Sequence, residues 1–414
     1  MSDLLNRAQR RAGRVLRELL PHHEHYRPTG VHASSRALAA RPASEARYWP
    51  VVPAHTSHLE LPAGFAEAVS VYESQAHGTP RAAEQQPEAF VLALPYGRLY
   101  ADNWDSVAVI AADNQLVGDV SFQHTRQGWA LTAPAQNNIF AQRYVQEPVS
   151  VAGTVLSLLS GGGAAMGNYY HWLIDSLPRL HLVREAGLWA EIDYFLVYDK
   201  SCGFVRESLL ALGIRPAQLI DVATHPHLRA KRLLVTTPVR GHGRHSPYWV
   251  HQFLRAAYLR VPAAAPRFAQ RVFISRRDAS MRRLLNEAAV AAVLREFGFE
   301  TYALSELSFA DKVHLFSGAQ AIVGTVGAGM ANLMFAAPGT PLLELHPDTF
   351  VEPESADTAY RAGLAYHWLT GRPSAPASAN YAAARHLDLW IDPEELRGAI
   401  GRLLRPAPAR QLVG

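Results

Sequence analysis

The feature that most constrains the fold is a regular alternation of strand-like and helix-like segments between residues 271 and 345. Short apolar runs alternate there with longer stretches whose apolar side chains recur at helical spacing. We predict strands at 271–275, 299–303, 321–324 and 341–345, and helices at 287–297, from Ser308 onward and at 331–335. This alternation predicts an α/β fold with a doubly wound parallel sheet.

Helix-boundary signals support the alternation. Asn286 precedes the first of these helices and Gly298 follows it, and Ser308 is followed three residues later by Asp311. Because doubly wound sheets bind ligands beyond the carboxyl ends of their strands, we expect ligand-binding residues just after each strand. Those segments are residues 275–277, 305–306, 325–329 and 344–346.

The loop after the third of these strands has the composition of a phosphate-binding turn. Residues 324–332 read GTVGAGMAN, and small residues between a buried strand and a helix let the backbone approach a ligand closely. Arg276 and Arg277 follow the first strand at the same edge and would add fixed positive charge. The loop is neither a dinucleotide GxGxxG motif nor a Walker loop, so a packing turn beside solvated arginines is the alternative.

A second candidate for chemistry is the segment GGGAAMGNYYHWLIDSLPRL. With Asn168 as a helix cap, His171 and Asp175 lie four residues apart on one helical face, while Leu173 and Leu177 turn toward a core. At this spacing a carboxylate can orient an imidazole that acts as a general base. A buried structural histidine bonded to Asp175 is the alternative.

The length of 414 residues predicts two domains, each able to bury a sizeable core. An apolar content of 49% with 18% charged residues excludes a disordered chain. Residues before about 88 are rich in His, Pro and Ala, and strand-like runs begin near Phe90. We therefore predict an N-terminal arm at 1–88, a first α/β domain at 89–240, a linker helix at 241–266 and a second domain at 267–414.

Charge and cysteine content exclude several functional classes. The formal charge is +4, but no basic run is interleaved with aromatic residues, so we predict no nucleic-acid partner. Cys202 is the only cysteine, which excludes a disulfide framework and a cysteine-rich zinc site and fits a reducing cytoplasm. The histidines His22, His23 and His25 have no matching ligands elsewhere at metal-site spacing.

The N-terminal segment bears on membrane association. We expect no signal peptide, and no apolar run approaches the length that spans a bilayer. Leucines and arginines alternate at roughly helical spacing between residues 4 and 20, which is compatible with a helix on a membrane surface or with an ordinary solvated helix. We expect a cytoplasmic protein, with peripheral contact to the inner membrane as the open alternative.

Three ordered motifs resemble glycosyltransferase family 61, over about residues 155–345. They are NYYHWLIDSLPRL, VFISRRDASMRRLLNE and GFETYALSELSFADKVHLFSGAQAIVGTVGAGMANLMFAAPGTPLLEL. The resemblance implies a GT-B architecture, in which two Rossmann-like domains face a central cleft, the first taking the acceptor and the second a nucleotide sugar. It also implies inverting transfer without a metal or other cofactor, and the absence of an Asp-x-Asp triplet agrees with this.

The same resemblance indicates the substrates. The family is found in capsular and lipopolysaccharide synthesis and among eukaryotic xylosyl- and N-acetylglucosaminyltransferases, so we expect a hexosyl- or pentosyltransferase. We favour a bacterial surface polysaccharide pathway, a glycan or lipid-linked acceptor, and a nucleotide sugar donor, with a UDP-sugar the first choice. The motifs carry these expectations onto particular residues. We assign His171 as the catalytic base and Asp175 as its partner, with Asp175 acting directly as the second choice. Acceptor contacts are assigned to Asn168, Tyr169, Tyr170 and Trp172. Donor contacts are assigned to Ser275, Arg276, Arg277, Ser305, Glu306, Gly327, Ala328, Gly329, Asn332 and, for a ribose hydroxyl, Glu344.

One departure from the family pattern leaves two further interpretations open. Members commonly carry a histidine before the Gly-Ala-Gly of the phosphate loop, where this chain has Val326. An inactive nucleotide-sugar-binding module would fit that change. A hydrolase of a phosphorylated ligand that uses His171 and Asp175 is the other alternative, although the chain has neither a GxSxG elbow nor an HExxH pair.

Overall fold

The computed structural model of the protein describes residues 25–70, 74, 78–101, 106–124, 131–240, 244–260, 267–376 and 381–405. The predicted basic helix at residues 4–20, together with His22 and His23, lies outside this described part. The chain divides into two compact units. Unit 1 comprises Met1–His55, Pro87–Cys202 and Ile214–His242, and unit 2 comprises Thr56–Gln86, Gly203–Gly213 and Gly243–Gly414.

The secondary structure of the described residues alternates between strands and short helices. The strands are β1 Gly30–His32, β2 Arg47–Val52, β3 His55–His58, β4 Ala83–Gln86, β5 Ala89–Pro95, β6 Arg98–Tyr100, β7 Ser106–Ile110, β8 Gln115–Val117, β9 Phe122–Gln123, β10 Val149–Ser157, β11 Tyr194–Val197, β12 Leu219–Asp221, β13 His227–Thr236, β14 Arg271–Ser275, β15 Glu300–Ala303, β16 Ala321–Thr325, β17 Pro341–Pro347, β18 Ala365–Pro373 and β19 Leu389–Trp390. The α-helices are α1 Ser35–Ala39, α2 Phe65–Ala68, α3 Gly162–Ala165, α4 Tyr169–His171, α5 Arg179–Glu185, α6 Gly203–Ala211, α7 Tyr248–Tyr258, α8 Glu287–Glu296, α9 Phe309–Gly318, α10 Glu354–Ala362, α11 Tyr381–Ala384 and α12 Pro393–Leu403.

Unit 1 is built on a mixed sheet. Its main path runs β1-β8-β7-β6-β13-β10-β11-β12, and β5 joins β13 while β2 joins β5. Strands β10 to β13 pair in parallel, whereas β5 and β6 pair with β13 in the antiparallel sense. Fully buried side chains such as Leu92, Val155 and Leu233 form its core. This arrangement brings the end of β13 next to the segment that follows β10.

The predicted N-terminal arm is wrong for the described residues between 25 and 86. Strand β1 pairs in parallel with β8, and β2 pairs with β5, so this region completes the sheet of unit 1. Tyr48 packs on Phe90 with ring centroids 4.6 Å apart. In unit 2, Phe65 is fully buried, and its ring centroid lies 5.1 Å from that of Trp368. Because this region is rich in His, Pro and Ala, its few apolar residues that pack in a core are not evident from the sequence.

Unit 2 contains the predicted doubly wound sheet. Its strand order is β15-β14-β16-β17-β18-β19, and every pair is parallel except β18 with β19. Helices α8 and α12 cover one face, where Phe273, Val323 and Leu343 enter a common core. The chain order reverses between β14 and β16, and ligands bind at such a switch point in open α/β sheets. The predicted phosphate loop therefore begins at the switch point.

The boundary signals predicted for the helices of this sheet are confirmed in part. Ser308 Oγ accepts a hydrogen bond of 3.1 Å from the backbone N–H of Asp311, as a helix cap does. Gly298 ends α8 with a φ of 77°, a conformation that favours glycine. Asn286 occupies the cap position of α8, but its side chain bonds the backbone of Ile391 instead. It therefore ties α8 to the C-terminal part of unit 2.

The helix predicted within residues 241–266 is present as α7 and belongs to unit 2. Residues 241–243 and 261–266 lie outside the described part of the chain, and the helix between them, α7, packs within unit 2. Arg255 Nη1 donates to the carbonyl of Ala336 at 2.7 Å, and the Tyr258 ring lies 4.8 Å from that of Phe309. An amphipathic helix between two Pro-rich stretches has the sequence character of a connector, and only its contacts reveal where it packs.

Candidate functional site

In unit 1, the chain forms an irregular helical path after β10. Helix α4 is followed at once by a π-helical turn, Trp172–Ser176, in which the N–H of Leu177 donates to the carbonyl of Trp172 at 2.9 Å. The predicted cap is confirmed, since Asn168 Oδ1 accepts from the N–H of Tyr170 at 2.9 Å. Leu173 and Leu177 are fully buried, as predicted. Turns of the π type are rare in proteins overall, but those that occur are often found at functional sites.

The predicted pair of His171 and Asp175 is present as a hydrogen bond. His171 Nδ1 lies 2.7 Å from Asp175 Oδ2. Arg240 binds the same carboxylate with two donors, Nε to Oδ1 at 2.8 Å and Nη2 to Oδ2 at 2.9 Å. Burial raises the pKa of Asp175, but the charge and hydrogen bonds of Arg240, with the bond to His171, lower this pKa well below its usual range. Asp175 is therefore an ionised acceptor at neutral pH.

This geometry assigns the proton on the imidazole. Because an ionised carboxylate can only accept hydrogen bonds, His171 Nδ1 must carry a proton, and Nε2 is the ring atom that can accept one. Within the described part of the chain, Nε2 has no hydrogen-bond partner. The His171 side chain is 32% exposed, so the ring can meet a substrate. The sequence-based second choice, Asp175 as the base, is disfavoured because its pKa is so low.

A glycine determines where the imidazole lies. A methyl group on Gly163, in α3, would come within 2.0 Å of His171 Cδ2 and 2.5 Å of Nε2. Contacts that short do not occur, so a larger residue would displace either the ring or the backbone. The glycine-rich start of the motif thus serves the close approach of α3 to His171.

A second buried arginine anchors the π turn. Arg179, 5% exposed, donates from Nε to the carbonyl of Asp175 at 3.1 Å and from Nη1 to Thr236 Oγ1 at 3.1 Å. Burial lowers the pKa of Arg179 to about 10, against the raising effects of Tyr198 and Asp175, so it stays cationic at neutral pH. Neither arginine is among the residues predicted from the sequence. The position of Arg179 inside the first motif could have indicated it, whereas Arg240 follows Asp175 by 65 residues and lies in no motif.

The predicted acceptor residues are placed unevenly. Tyr170 and Trp172 are buried, which makes them packing residues and not the sugar-stacking surfaces that we predicted. The Tyr170 ring packs edge-on against His171 at 5.4 Å and beneath Arg240 Cζ at 5.7 Å. Tyr169 and Asn168 are half-buried. Tyr169 is thus the aromatic residue of this motif that can still meet an acceptor.

In unit 2, the structure brings Arg276 and Gly327 together at the switch point. A methyl group on Gly327 would lie 1.8 Å from Arg276 Nη1, so the guanidinium rests directly on the glycine backbone. Arg276 donates from Nε to the carbonyl of Arg282 at 3.2 Å and from Nη2 to that of Met281 at 2.8 Å. No carboxylate of the described residues forms an ion pair with it. Its guanidinium therefore lies against the predicted phosphate loop, with no ion-paired carboxylate among the described residues.

Arg282, whose carbonyl accepts the hydrogen bond from Arg276 Nε, has an unusual backbone conformation. Its φ of 55° is in the left-handed region, which is costly for a bulky side chain and is often kept at functional sites. Burial, followed by the like charge of Arg282, lowers the pKa of Arg276 to about 10, so Arg276 remains charged at neutral pH. Arg282 itself pairs with Glu352 at 3.0 Å. Sequence analysis did not select Arg282, although it lies in the second motif.

The remaining predicted donor residues near β14 form hydrogen bonds and an ion pair within unit 2. Ser275 Oγ donates to Glu287 Oε1 at 2.6 Å, which fixes the start of α8. Arg277 forms an exposed pair with Glu306, 2.6 Å between Nη2 and Oε1, and the N–H of Ser305 donates to Asp278 at 3.1 Å. These contacts join the loops after β14 and β15.

The predicted phosphate loop is held by hydrogen bonds that involve buried residues. Asn332 is fully buried, and its Nδ2 donates to the carbonyl of Gly329 at 2.8 Å. Ala328 and Gly329 are half-buried and begin a 3₁₀ helix, Ala328–Phe335. Val326, which departs from the family pattern, is fully buried, and its N–H donates to the carbonyl of Leu345 at 3.0 Å. Its side chain is thus a packing residue of unit 2.

Glu344 is not placed to contact a ribose. It lies inside β17, which continues to Pro347, and it is fully buried. Its Oε2 accepts from the Tyr366 hydroxyl at 2.7 Å and lies 3.2 Å from His346 Nε2. Sequence reasoning ended the strand two residues too early, which turned an interior position into a strand end.

Comparison with known protein families supports the resemblance carried by the motifs. The family described as Glycosyltransferase 61 matches residues 169–343, a range that includes His171, Asp175, Arg276 and Gly327. None of the curated proteins compared matches the chain. No helix among the described residues is long and apolar enough to cross a membrane, and no group of three or more His, Cys, Asp or Glu in that part could hold a metal ion.

The pairing of Asp175 with Arg240 predicts a pH-dependent stability difference. Replacing Arg240 by Leu should destabilise the protein by about 3–5 kcal/mol at pH 7, because it leaves a largely buried carboxylate without its cation. The folded pKa of Asp175 is lowered, so this stabilisation is complete above the unfolded value of about 3.9 and is lost as the pH falls further. Urea unfolding of both proteins at several pH values measures it. A difference that stays constant down to pH 3 would contradict the assignment.

Proposed function

We propose that this protein, a glycosyltransferase whose family 61 domain spans residues 169–343, transfers a sugar with inversion from a nucleotide sugar to an acceptor hydroxyl. The observation that carries the proposal is the arrangement around His171, in which Asp175 and Arg240 hold Nδ1 in the protonated form and leave Nε2 as a base. We further propose a UDP-sugar as donor, a glycan or lipid-linked acceptor, and a role in bacterial surface polysaccharide synthesis. These follow from the family resemblance alone.

The proposed reaction is a single displacement. His171 Nε2 takes the proton of the acceptor hydroxyl while that oxygen forms a bond to the anomeric carbon of the donor sugar. The bond between the anomeric carbon and the diphosphate oxygen breaks, and the nucleoside diphosphate leaves with the electron pair. The imidazolium formed on His171 is stabilised by the ionised Asp175. Arg240 keeps that carboxylate ionised throughout.

The leaving diphosphate needs positive charge, and Arg276 is the residue that offers it. Its guanidinium lies over Gly327 at the switch point, where a glycine allows a phosphate to approach both the arginine and the backbone. The start of the 3₁₀ helix at Ala328 adds N–H donors. A GT-B arrangement, with the acceptor on unit 1 and the donor on unit 2, is part of this proposal, as are metal independence and action in the cytoplasm.

Variants of His171 test the base. We expect His171→Ala and His171→Gln to lower the transfer rate about 10²- to 10⁴-fold, with unchanged UDP affinity and melting temperature. Gly163→Ala should also lower the rate, because its methyl group displaces the ring. The measurements are turnover, calorimetric UDP binding and thermal unfolding on the same proteins. A well-folded His171→Ala protein with near-wild-type turnover would end the proposal.

Variants of the switch point test donor binding. Arg276→Ala should weaken UDP binding roughly tenfold or more, since it removes a charge-assisted phosphate contact. Gly327→Ala should weaken it too, because the added methyl group collides with the guanidinium. Gly318→Ala is the matched control, since a methyl group there meets nothing within 4 Å. Unchanged UDP affinity in both Arg276→Ala and Gly327→Ala would exclude this site.

Chelation tests metal independence. Since the proposal assigns neutralisation of the diphosphate to Arg276, EDTA should leave the transfer rate unchanged. The assay compares initial rates before and after dialysis against EDTA. If the rate collapses and manganese restores it, the metal-independent mechanism is wrong, whereas the base assignment is tested separately by the histidine variants.

A further inference from the structure

Unit 1 contains a second concave site away from His171. It is a cavity of about 520 Å³ between β2, β5 and the end of α5, with walls formed by long polar side chains and one tryptophan. Its volume lies in the range of small-molecule sites, about 300–1,000 Å³. Trp49, Arg47 and Arg232 line it from the sheet, and Glu191 lines it from the turn after α5. Neither the family motifs nor the proposed mechanism assigns it a role.

Alternating residue sizes create the cavity. On the edge strand β2, Arg47 lies opposite Ala93 of β5, and residues directly opposite share one face of a sheet. A long side chain therefore stands beside a short one. At the end of α5, the small residues Ala186 and Gly187 also line the cavity, and Gly187 adopts a φ of 73° that favours glycine. Small and long side chains therefore lie side by side in its lining.

The walls combine an aromatic face with planar hydrogen-bonding groups. Arg232 Cζ lies 5.8 Å from the centre of the half-buried Trp49 ring, and Arg232 also pairs with Glu191. Glu45 and Arg47 stand two residues apart at the rim, both exposed. Neither of their side chains has a hydrogen bond or ion pair with any residue that the structure describes. These two groups are available to a ligand.

We propose that this cavity binds a neutral oligosaccharide. A sugar ring presents an apolar C–H face and an edge of hydroxyls, which suits a tryptophan flanked by guanidinium and carboxylate groups. Two arginines and two glutamates line the site and balance in charge, so it does not favour a phosphate or a polyanion. The inference rests on the proposed function only for the choice of a glycan as ligand.

The position of the cavity suits an acceptor chain. Helix α5 begins at Arg179, which binds the carbonyl of Asp175, and ends next to Ala186 in the cavity wall. Seven residues of α-helix extend about 10 Å. One helix thus joins the proposed base to the cavity, within one unit. A glycan held here would be bound by the same unit that deprotonates the acceptor.

Binding of defined sugars tests the site. Calorimetry on the full-length protein, without donor, would use maltohexaose, cellohexaose and chitohexaose as neutral probes and a hyaluronan hexasaccharide as a charged one. We expect at least one neutral probe to bind, and Trp49→Ala to weaken it about tenfold or more. The double variant Glu45→Ala with Arg47→Ala should weaken it several-fold and, since both side chains are exposed and unpaired, should fold. Trp390→Ala is the matched control, because Trp390 is half-buried beneath Arg372 in unit 2.

Four outcomes would overturn the inference. They are no binding of any neutral probe at millimolar concentration, preference for hyaluronan, unchanged affinity in both the Trp49→Ala and the Glu45/Arg47 variants, and affinity lost in His171→Ala but kept in Trp49→Ala. The last would place the sugar at the proposed base and leave the proposed function intact. Conversely, a protein that binds the neutral probe through Trp49 but shows no transfer would refute the proposed function and leave this inference standing.

Discussion

The candidate site of unit 1 depends on the paired contact between Asp175 and Arg240. Burial alone would raise the pKa of this carboxylate and favour its neutral form. The charge of Arg240, together with the hydrogen bonds from His171 and Arg240, reverses that effect, so the carboxylate stays ionised and can only accept. From this follow the proton on His171 Nδ1 and, in the neutral ring, an unprotonated Nε2. The same contact joins the π turn to the segment just after β13, which gives the imidazole a fixed support.

The two candidate sites share one packing feature, in which a predicted functional side chain lies directly against a glycine. His171 lies on Gly163 and Arg276 lies on Gly327, each so close that a methyl group could not be accommodated without a shift. In each case other contacts hold the side chain: Asp175 holds the imidazole, and two backbone carbonyls hold the guanidinium. The glycines of both motifs thus serve to position neighbouring side chains as well as to allow turns.

The sequence predicts features that depend on residues close together in the chain and does not predict contacts between residues far apart in it. The alternation of strands and helices in unit 2, the Asn168 cap and the bond between His171 and Asp175 depend on residues close together in the sequence, so periodicity and capping rules predict them. The family match over residues 169–343 confirms the glycosyltransferase class. Arg240 is brought in by the fold of the mixed sheet, and the left-handed backbone of Arg282 has no pattern of its own. Burial of Tyr170, Trp172 and Glu344 depends on tertiary packing. The pairing of β1 and β2 with strands far along the chain depends on it too, which is why this region resembles an arm in the sequence.

The central claim is that Asp175 fixes His171 as the Nδ1-protonated tautomer with Nε2 free to take a proton. Nitrogen-15 NMR of histidine-labelled protein measures this directly, with the His171 signals identified by their absence in His171→Gln. For the neutral ring, we predict a protonated Nδ1 and an unprotonated Nε2. It also predicts that this preference weakens in Arg240→Leu. A neutral ring with its proton on Nε2 would contradict the account.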